Sequence, residues 1–116
     1  MVNIVNDKGK ISITNEVFSN LAGHAATKCF GVKGMAGRSK EGGPLQLLRR
    51  ESMSKGVEVH YNEDDSVSLE LHIGVDQGVN ISAVARSIMK EVSYKLSKAT
   101  GVPVKSVDVY IDTIIG

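Results

Sequence analysis

The sequence predicts a single α+β domain, a two-layer sandwich with two main helices on one face of a three- to four-stranded sheet. Two segments carry apolar residues at helical spacing, and three segments alternate apolar with polar residues. A length of 116 residues suffices for one modest core. Because alternation makes only one side of a sheet apolar, both helices must cover that side. The expected order over residues 1–116 is β-α-β-β-α-β.

The first predicted strand is KISI, residues 10–13, and a helix follows it. Thr14 or Asn15 is suited to cap that helix. Apolar residues then recur on one helical face: Val17, Phe18, Leu21, Ala25 and Cys29. Gly31 is expected to end the helix as its C-cap. Cys29 is the single cysteine, so an internal disulfide is excluded and a small buried apolar role is expected.

The clearest pattern in the chain predicts an antiparallel hairpin. Residues 57–62 and 66–75 place every second, apolar residue on one face, and residues 63–65 form the turn between them. A second helix is predicted from its cap, Asn80, to Thr100. The last strand follows Pro103, with Val107, Val109 and Ile111 alternating with polar residues.

Residues 30–43 are rich in glycine and open with GVKG, the spacing of the loop by which K-homology (KH) domains hold a nucleic-acid backbone. An RNA-binding module is therefore the alternative hypothesis, with these contacts: Gly31, Lys33, Gly34, Arg38 and Lys40. Three more glycines follow GVKG and oppose the helix that a KH domain needs there. We therefore expect a helix C-cap and turn, with Gly31 or Gly34 at positive φ. A mobile loop is expected over residues 34–43, then a short helix over 44–53.

The polar face of the hairpin carries His60 and His72 together with several carboxylates. With the turn at 63–65, His60 lies opposite Ser68, and Glu58 lies opposite Glu70. His72 is four residues further along, about 13 Å at 3.3 Å per residue, which is too far for both histidines to bind one metal.

No Ser-His-Asp or Cys-His set can be assembled from the spacing of three histidines. We therefore predict no catalytic, cofactor-binding or metal-binding residues, no cofactor, and a protein that is not an enzyme.

The charge is segregated although the net charge is only +1. Residues 31–56 carry six Lys or Arg against two Glu, and residues 57–80 carry six acids without Lys or Arg. No apolar run approaches the roughly 20 residues that span a bilayer, and the N-terminus lacks the apolar stretch of a signal peptide. A cytoplasmic protein without direct membrane insertion is expected.

Six short motifs occur in a characteristic order: GKISI at 9–13, AGHAA at 22–26, GVKGM at 31–35, GVNI at 78–81, TGV at 100–102 and SVDVYI at 106–111. Together they resemble the alkaline shock, or envelope stress response, protein family of Gram-positive bacteria, in its short YloU-like form. The resemblance covers nearly the whole chain. One departure is Cys29-Phe30 before Gly31, where many members have a proline.

The resemblance implies a small cytoplasmic α+β protein without established enzymatic activity. Such proteins are associated with envelope or alkaline stress, and some sit at the membrane through a protein partner. The family has no agreed catalytic residues, so none are transferred to this chain. We therefore expect a non-enzymatic protein that acts through self-association or a protein partner.

Self-association is also expected from the sheet itself. A sandwich of this size leaves strand edges with unpaired N–H and C=O groups. No proline interrupts residues 10–13 or 66–75, and the final strand carries only Lys105 as an edge lysine. We therefore predict a homo-oligomer, formed by edge pairing or by apposition of the helix layers.

Overall fold

The computed structural model describes residues 1–37, 46–47 and 55–116. Within these residues the chain forms two helices and seven strands. In chain order they are β1 (Val2–Asn6), β2 (Gly9–Ile13), α1 (Asn15–Thr27), β3 (Val32–Gly37), β4 (Gln46–Leu47), β5 (Val57–Tyr61), β6 (Val67–Asp76), α2 (Ile81–Thr100) and β7 (Val104–Ile115). The predicted α+β class is confirmed.

Strand β6 is the centre of the main sheet. On one side it pairs antiparallel with β5 over its first half and with β3 over its second half. On the other side it pairs parallel with β7 along its whole length. Helix α2 connects β6 to β7, and such a crossover is what brings two successive strands into parallel pairing. Strand β4 extends the sheet beyond β3.

The core lies between this sheet and the helices. Five apolar residues of β6 are at most 1% exposed: Val67, Leu69, Leu71, Ile73 and Val75. The buried stripe of α2 consists of Val84, Ile88, Val92 and Leu96. Helix α1 adds Phe18 and three buried alanines to the same cluster. The single-sided alternation predicted from the sequence is therefore the origin of the two-layer packing.

The predicted hairpin of β5 and β6 is confirmed, including its register. The Asn62 N–H donates to the Ser66 carbonyl at 2.9 Å, and the Asp65 N–H donates to the Asn62 carbonyl at 3.2 Å. Asp65 adopts φ 65°. A short turn of this kind fixes which residues oppose each other on the two strands.

The ends of α2 also agree with the prediction. Asn80 Oδ1 accepts the Ala83 N–H at 3.1 Å, and Gly101 ends the helix at φ 75°. Helix α1 differs, because it ends at Thr27 with Lys28 as its C-cap, and not at Gly31 as predicted. The Cys29 N–H donates to the Ala26 carbonyl at 3.1 Å, which tightens the last turn and directs the chain out of the helix.

The N-terminal segment departs from the predicted order. Strand β2 contains the predicted KISI strand, but it pairs with β1 in a separate two-stranded sheet. Strand β1 was not predicted from the sequence. Val2 and Ile4 of β1 and Ile13 of β2 pack against the edge of the core, so the hairpin is held by only a few apolar contacts.

The glycine-rich segment was predicted wrongly in part. Gly31 has the expected positive φ, 88°, but residues 32–37 form β3 and not a loop. Met35 and Ala36 are fully buried in the core, and this burial outweighs the low strand propensity of the glycines beside them. The main sheet therefore has five strands. Residues 38–43 lie outside the described residues. So does most of the short helix predicted over 44–53, of which residues 46–47 form strand β4 instead.

Substitution of Gly31 tests how closely α1, β3 and α2 approach one another. A Cβ at Gly31 would lie 3.0 Å from Val84 Cγ2 and 3.2 Å from Val79 Cγ1. We expect Gly31→Ala to lower the free energy of unfolding by about 2–4 kcal/mol. The cost of a non-glycine residue at positive φ and the cost of packing an extra Cβ against the valines are summed at this position. Gly101→Ala, at φ 75° with open space around it, should cost only about 1–2 kcal/mol. Urea unfolding measures both values, and equal costs would contradict the close approach at Gly31.

The hairpin turn gives a prediction about pH. The Ser66 hydroxyl donates to Asp64 Oδ1 at 2.5 Å and the Ser66 N–H donates to the same atom at 3.2 Å, and these bonds lower the pKa of Asp64. A lowered carboxyl pKa stabilises the folded state above the unfolded pKa, and this contribution is lost as pH falls through the folded pKa.

We therefore expect Ser66→Ala to raise the pKa of Asp64 toward its ordinary value, measured by the carboxyl carbon shift in an acid titration. Ser68→Ala is the matched control. Asn62 Nδ2 donates to both serine hydroxyls at 3.0 Å, but the hydrogen bonds of Asp64 go to Ser66. An Asp64 pKa that rises equally in both variants would show that the Ser66 hydroxyl is not the cause.

Candidate functional site

The side of the main sheet opposite the helices is polar. We call it the open face, and its residues are Glu58 and His60 of β5, Ser68, Glu70 and His72 of β6, and Asp108, Tyr110 and Asp112 of β7. They alternate along the three strands with the apolar residues that face the core. Each of the eight is exposed or half-buried. The two-residue period of the strands therefore places the apolar residues in the core and the polar residues on the open face.

Three carboxylates form a row across the open face. Glu58 lies directly opposite Glu70 in the β5–β6 ladder, and Glu70 lies directly opposite Asp108 in the β6–β7 ladder. Like charges at directly opposed positions repel each other and destabilise a sheet. The first of these pairings was predicted from the position of the turn. The second required knowledge that β7 is the parallel neighbour of β6.

His60 lies beside two of these carboxylates. Its Nε2 atom is 3.6 Å from Glu70 Oε1 and 4.0 Å from Glu58 Oε2. One ligand atom from each of the three side chains lies within 4.8 Å of the others. From the sequence, His60 was considered as a metal ligand only together with His72. The missed signal was the predicted pairing of Glu58 with Glu70, only two positions from His60.

His72 belongs to a different arrangement. Its Nδ1 atom is 2.8 Å from Asp112 Oδ2, and its ring stacks on Tyr110 with centroids 4.8 Å apart. The ladder shifts register between the pairs Ile73–Ile111 and Gly74–Thr113, so Asp112 is an extra residue in β7 that reaches His72. In the ladder His60 lies opposite Ser68, and His72 is four positions further along β6, as predicted.

On the open face, the described hydrogen bonds do not pair a nucleophile with a histidine. Among the described residues, the hydrogen-bond partner of the His72 ring is Asp112, and no hydroxyl or thiol bonds to it. Cys29 is buried, and its Sγ atom lies 3.6 Å from the Ala25 carbonyl. The arrangement of carboxylates and imidazoles on the open face suits cation binding and hydrogen bonding.

The residues of the KH hypothesis are not arranged as a KH loop. Gly31 forms the turn after α1, while Lys33 and Gly34 lie within β3 and not in a loop between two helices, as the hypothesis requires. Lys33 Nζ is 3.4 Å from Asp76 Oδ1. Arg38 and Lys40 lie outside the described residues. RNA binding through the basic segment stays an untested alternative.

The free edge of β7 is the longest open edge in the described part of the chain. Among the described strands, this 12-residue strand pairs with β6 alone. Its large apolar residues include Tyr110 and Ile114, and Ile114 is 55% exposed. No proline interrupts the strand, and Lys105 is its single lysine.

A second exposed feature lies at the exit of α1. Phe30 is 90% exposed, although its neighbours Cys29 and Gly31 are buried. It lines a cleft of about 230 Å³ between the two helices. The other lining residues are Ala25, Lys28, Cys29, Ser87, Glu91 and Lys95. A buried turn therefore presents a large aromatic ring next to two lysines.

Two bacterial relatives resemble the chain over nearly its full length. The chain is 36% identical over 107 residues to the uncharacterized protein YloU of Bacillus subtilis, a match that covers 91% of this chain and 88% of YloU. It is 34% identical over 114 residues to the uncharacterized protein Spy1614 of Streptococcus pyogenes serotype M6, covering 97% and 93%.

Solved structures with a similar fold include the one titled MamM-CTD 215-293. Its TM-score is 0.51 at 17% identity, covering 86% of this chain and 99% of that chain. A cadmium form of a MamM CTD variant gives the same TM-score at 18% identity, covering 86% and 98%. At this identity the likeness concerns the fold alone.

No helix among the described residues combines the length and the apolar character needed to cross a membrane. The sequence profile of the alkaline shock protein 23 family, described as having a cell envelope-related function, matches residues 3–115. The family resemblance inferred from the six short motifs is thereby confirmed. The chain belongs to the alkaline shock protein 23 family, and its function is cell envelope-related.

Proposed function

We propose that this protein is a non-enzymatic, cytoplasmic module of the envelope and alkaline stress response that acts by binding other copies of itself and a protein partner. The free edge of β7 is the observation that carries the proposal. A partner located at the membrane would bring the protein there without insertion of this chain.

The β7 edge supports self-association through backbone hydrogen bonds. Alternate residues of a strand direct their N–H and C=O groups to opposite sides, so about half of the backbone groups of β7 face away from β6. A second copy that adds its own β7 would satisfy these groups and join two sheets into one. Ile114 would lose exposed apolar surface in the same step.

Phe30 supports a contact with a protein partner. Aromatic side chains held on rigid backbone are enriched among the residues that contribute most to binding. Lys28 and Lys95 line the same cleft as Phe30, and Glu91, 3.8 Å from Lys95, is the acidic residue of that lining. The chemistry of the cleft fits a partner segment with one apolar anchor and a neighbouring carboxylate.

Two clefts lined by described residues are smaller than most small-molecule sites. They measure about 230 and 190 Å³, below the roughly 300–1,000 Å³ that is typical of small-molecule sites. The open face is a flat sheet surface on which water is not excluded from Glu58, His60 or Glu70. A reaction that needs a dry, shaped pocket has little support from this geometry.

Sedimentation equilibrium between about 1 μM and 1 mM tests the self-association. We expect the mass to rise with concentration, and Ile114→Lys to weaken association by roughly tenfold or more, because a lysine at an exposed edge opposes strand pairing. Tyr94→Lys is the control, since Tyr94 is 59% exposed but lies on α2.

A wild-type mass that stays monomeric to 1 mM would contradict the proposal. If Tyr94→Lys weakened association as much as Ile114→Lys, the contact would lie on the helix layer and the β7 edge would be the wrong surface.

The Phe30 contact is tested by crosslinking in cells followed by affinity purification, with and without nuclease. We expect Phe30→Ala to lose a specific protein that wild type and Tyr94→Ala both retain, whether or not nuclease is added. Loss of all captured protein after nuclease treatment would contradict the proposal and favour RNA binding. In that case Lys33→Asp should weaken RNA binding tenfold or more at moderate salt.

A further inference from the structure

We propose that Glu58, His60 and Glu70 form a binding site for one divalent transition-metal ion, of which Zn²⁺ is the representative. The site lies on the open face where β5 and β6 pair. It is independent of the β7 edge and of Phe30, so its success or failure leaves the proposed function unaffected.

The ligand atoms are already close to a coordinating arrangement. His60 Nε2 lies 3.6 Å from Glu70 Oε1 and 4.0 Å from Glu58 Oε2, and the whole group lies within 4.8 Å. Ligands about 2.0–2.1 Å from a tetrahedral Zn²⁺ lie about 3.4 Å from one another. Movements of about 1.5 Å or less at the ends of the three side chains would bring the ligand atoms from their present separations to those around a tetrahedral Zn²⁺.

The backbone that carries the ligands is well supported. Glu58 and Glu70 are direct partners in the β5–β6 ladder, and His60 follows two residues later on the same face. Beneath them, Leu69 and Leu71 are buried in the core. Because strand pairing and core packing fix the three Cα positions, binding a cation requires the ordering of side chains only.

Electrostatics favour a cation at this place. Glu58, Glu70 and Asp108 form one row across three strands. Within the ranges described, the ion-pair partner of both Glu58 and Glu70 is His60, and no Lys or Arg lies within 4 Å of either carboxylate. A bound divalent cation would convert their repulsion into coordination, while Asp108 adds negative charge beside the site.

The ligand types identify the class of metal. An imidazole nitrogen together with two carboxylates suits Zn²⁺, Co²⁺ or Ni²⁺, whereas Ca²⁺ and Mg²⁺ prefer oxygen ligands. Three protein ligands also leave one tetrahedral position for water or for a carboxylate of another molecule. We therefore expect Zn²⁺ to bind more tightly than Ca²⁺ or Mg²⁺.

Calorimetric titration of Zn²⁺ into metal-stripped full-length protein tests the site. We expect one ion per chain, and a shift of the His60 Nε2 resonance that saturates at the same ratio. We expect the Zn²⁺ affinity to fall at least about tenfold in each of three variants, Glu58→Gln, Glu70→Gln and His60→Gln. Loss of a residue that only hydrogen-bonds to a metal ligand already lowers metal affinity by about tenfold or more. His72→Gln is the matched control, because His72 shares the open face but is bonded to Asp112.

Thermal unfolding adds a second readout that a merely structural role would not produce. Without metal, Glu70→Gln should raise Tm by removing charge repulsion. With saturating Zn²⁺, the same variant should have a lower Tm than wild type because it loses a ligand.

The proposal would be overturned by absence of saturable binding, by unchanged affinity in the three ligand variants, or by an equal loss in His72→Gln. Equal affinity for Mg²⁺ and Zn²⁺ would overturn the assigned class of metal.

Discussion

Burial of one face of β6 is the constraint on which the rest of this structure depends. Five alternate apolar residues of β6 are removed from water, and β3, β5 and β7 all pair directly with this strand. The same alternation places Glu70 and His72 on the opposite face. Displacing β6 by one residue would therefore exchange core and open face together, so the packing that stabilises the domain also positions the polar groups.

The sequence predicted the elements whose signals are local. Strict alternation and a three-residue turn determined the β5–β6 register, and a side-chain cap with a terminal glycine determined the ends of α2. It failed at β3, because Val32–Gly37 contains two glycines and has no clear period. That strand forms because Met35 and Ala36 find space in the core, a property of the assembled fold and not of the segment. The pairing of β1 with β2 has the same non-local origin.

The candidate site could be predicted to a similar extent. Which residues share the open face follows from the period of two, and the opposition of Glu58 and Glu70 follows from the turn. The distance from His60 to both carboxylates depends on the side-chain rotamers, and the alternation of residue types in the sequence does not determine these. The bond between His72 and Asp112 depends on an extra residue in β7, and the row that includes Asp108 depends on the crossover through α2.

The open edge of β7 supports the proposed assembly of this protein with other copies of itself. Amide hydrogen exchange, measured residue by residue at about 1 μM and about 1 mM, tests it most directly. We expect the outward-facing amides of β7 to gain protection of roughly tenfold or more at the higher concentration, while the amides of β6 are protected at both. Outward-facing β7 amides that exchange at the same rate at both concentrations would contradict it.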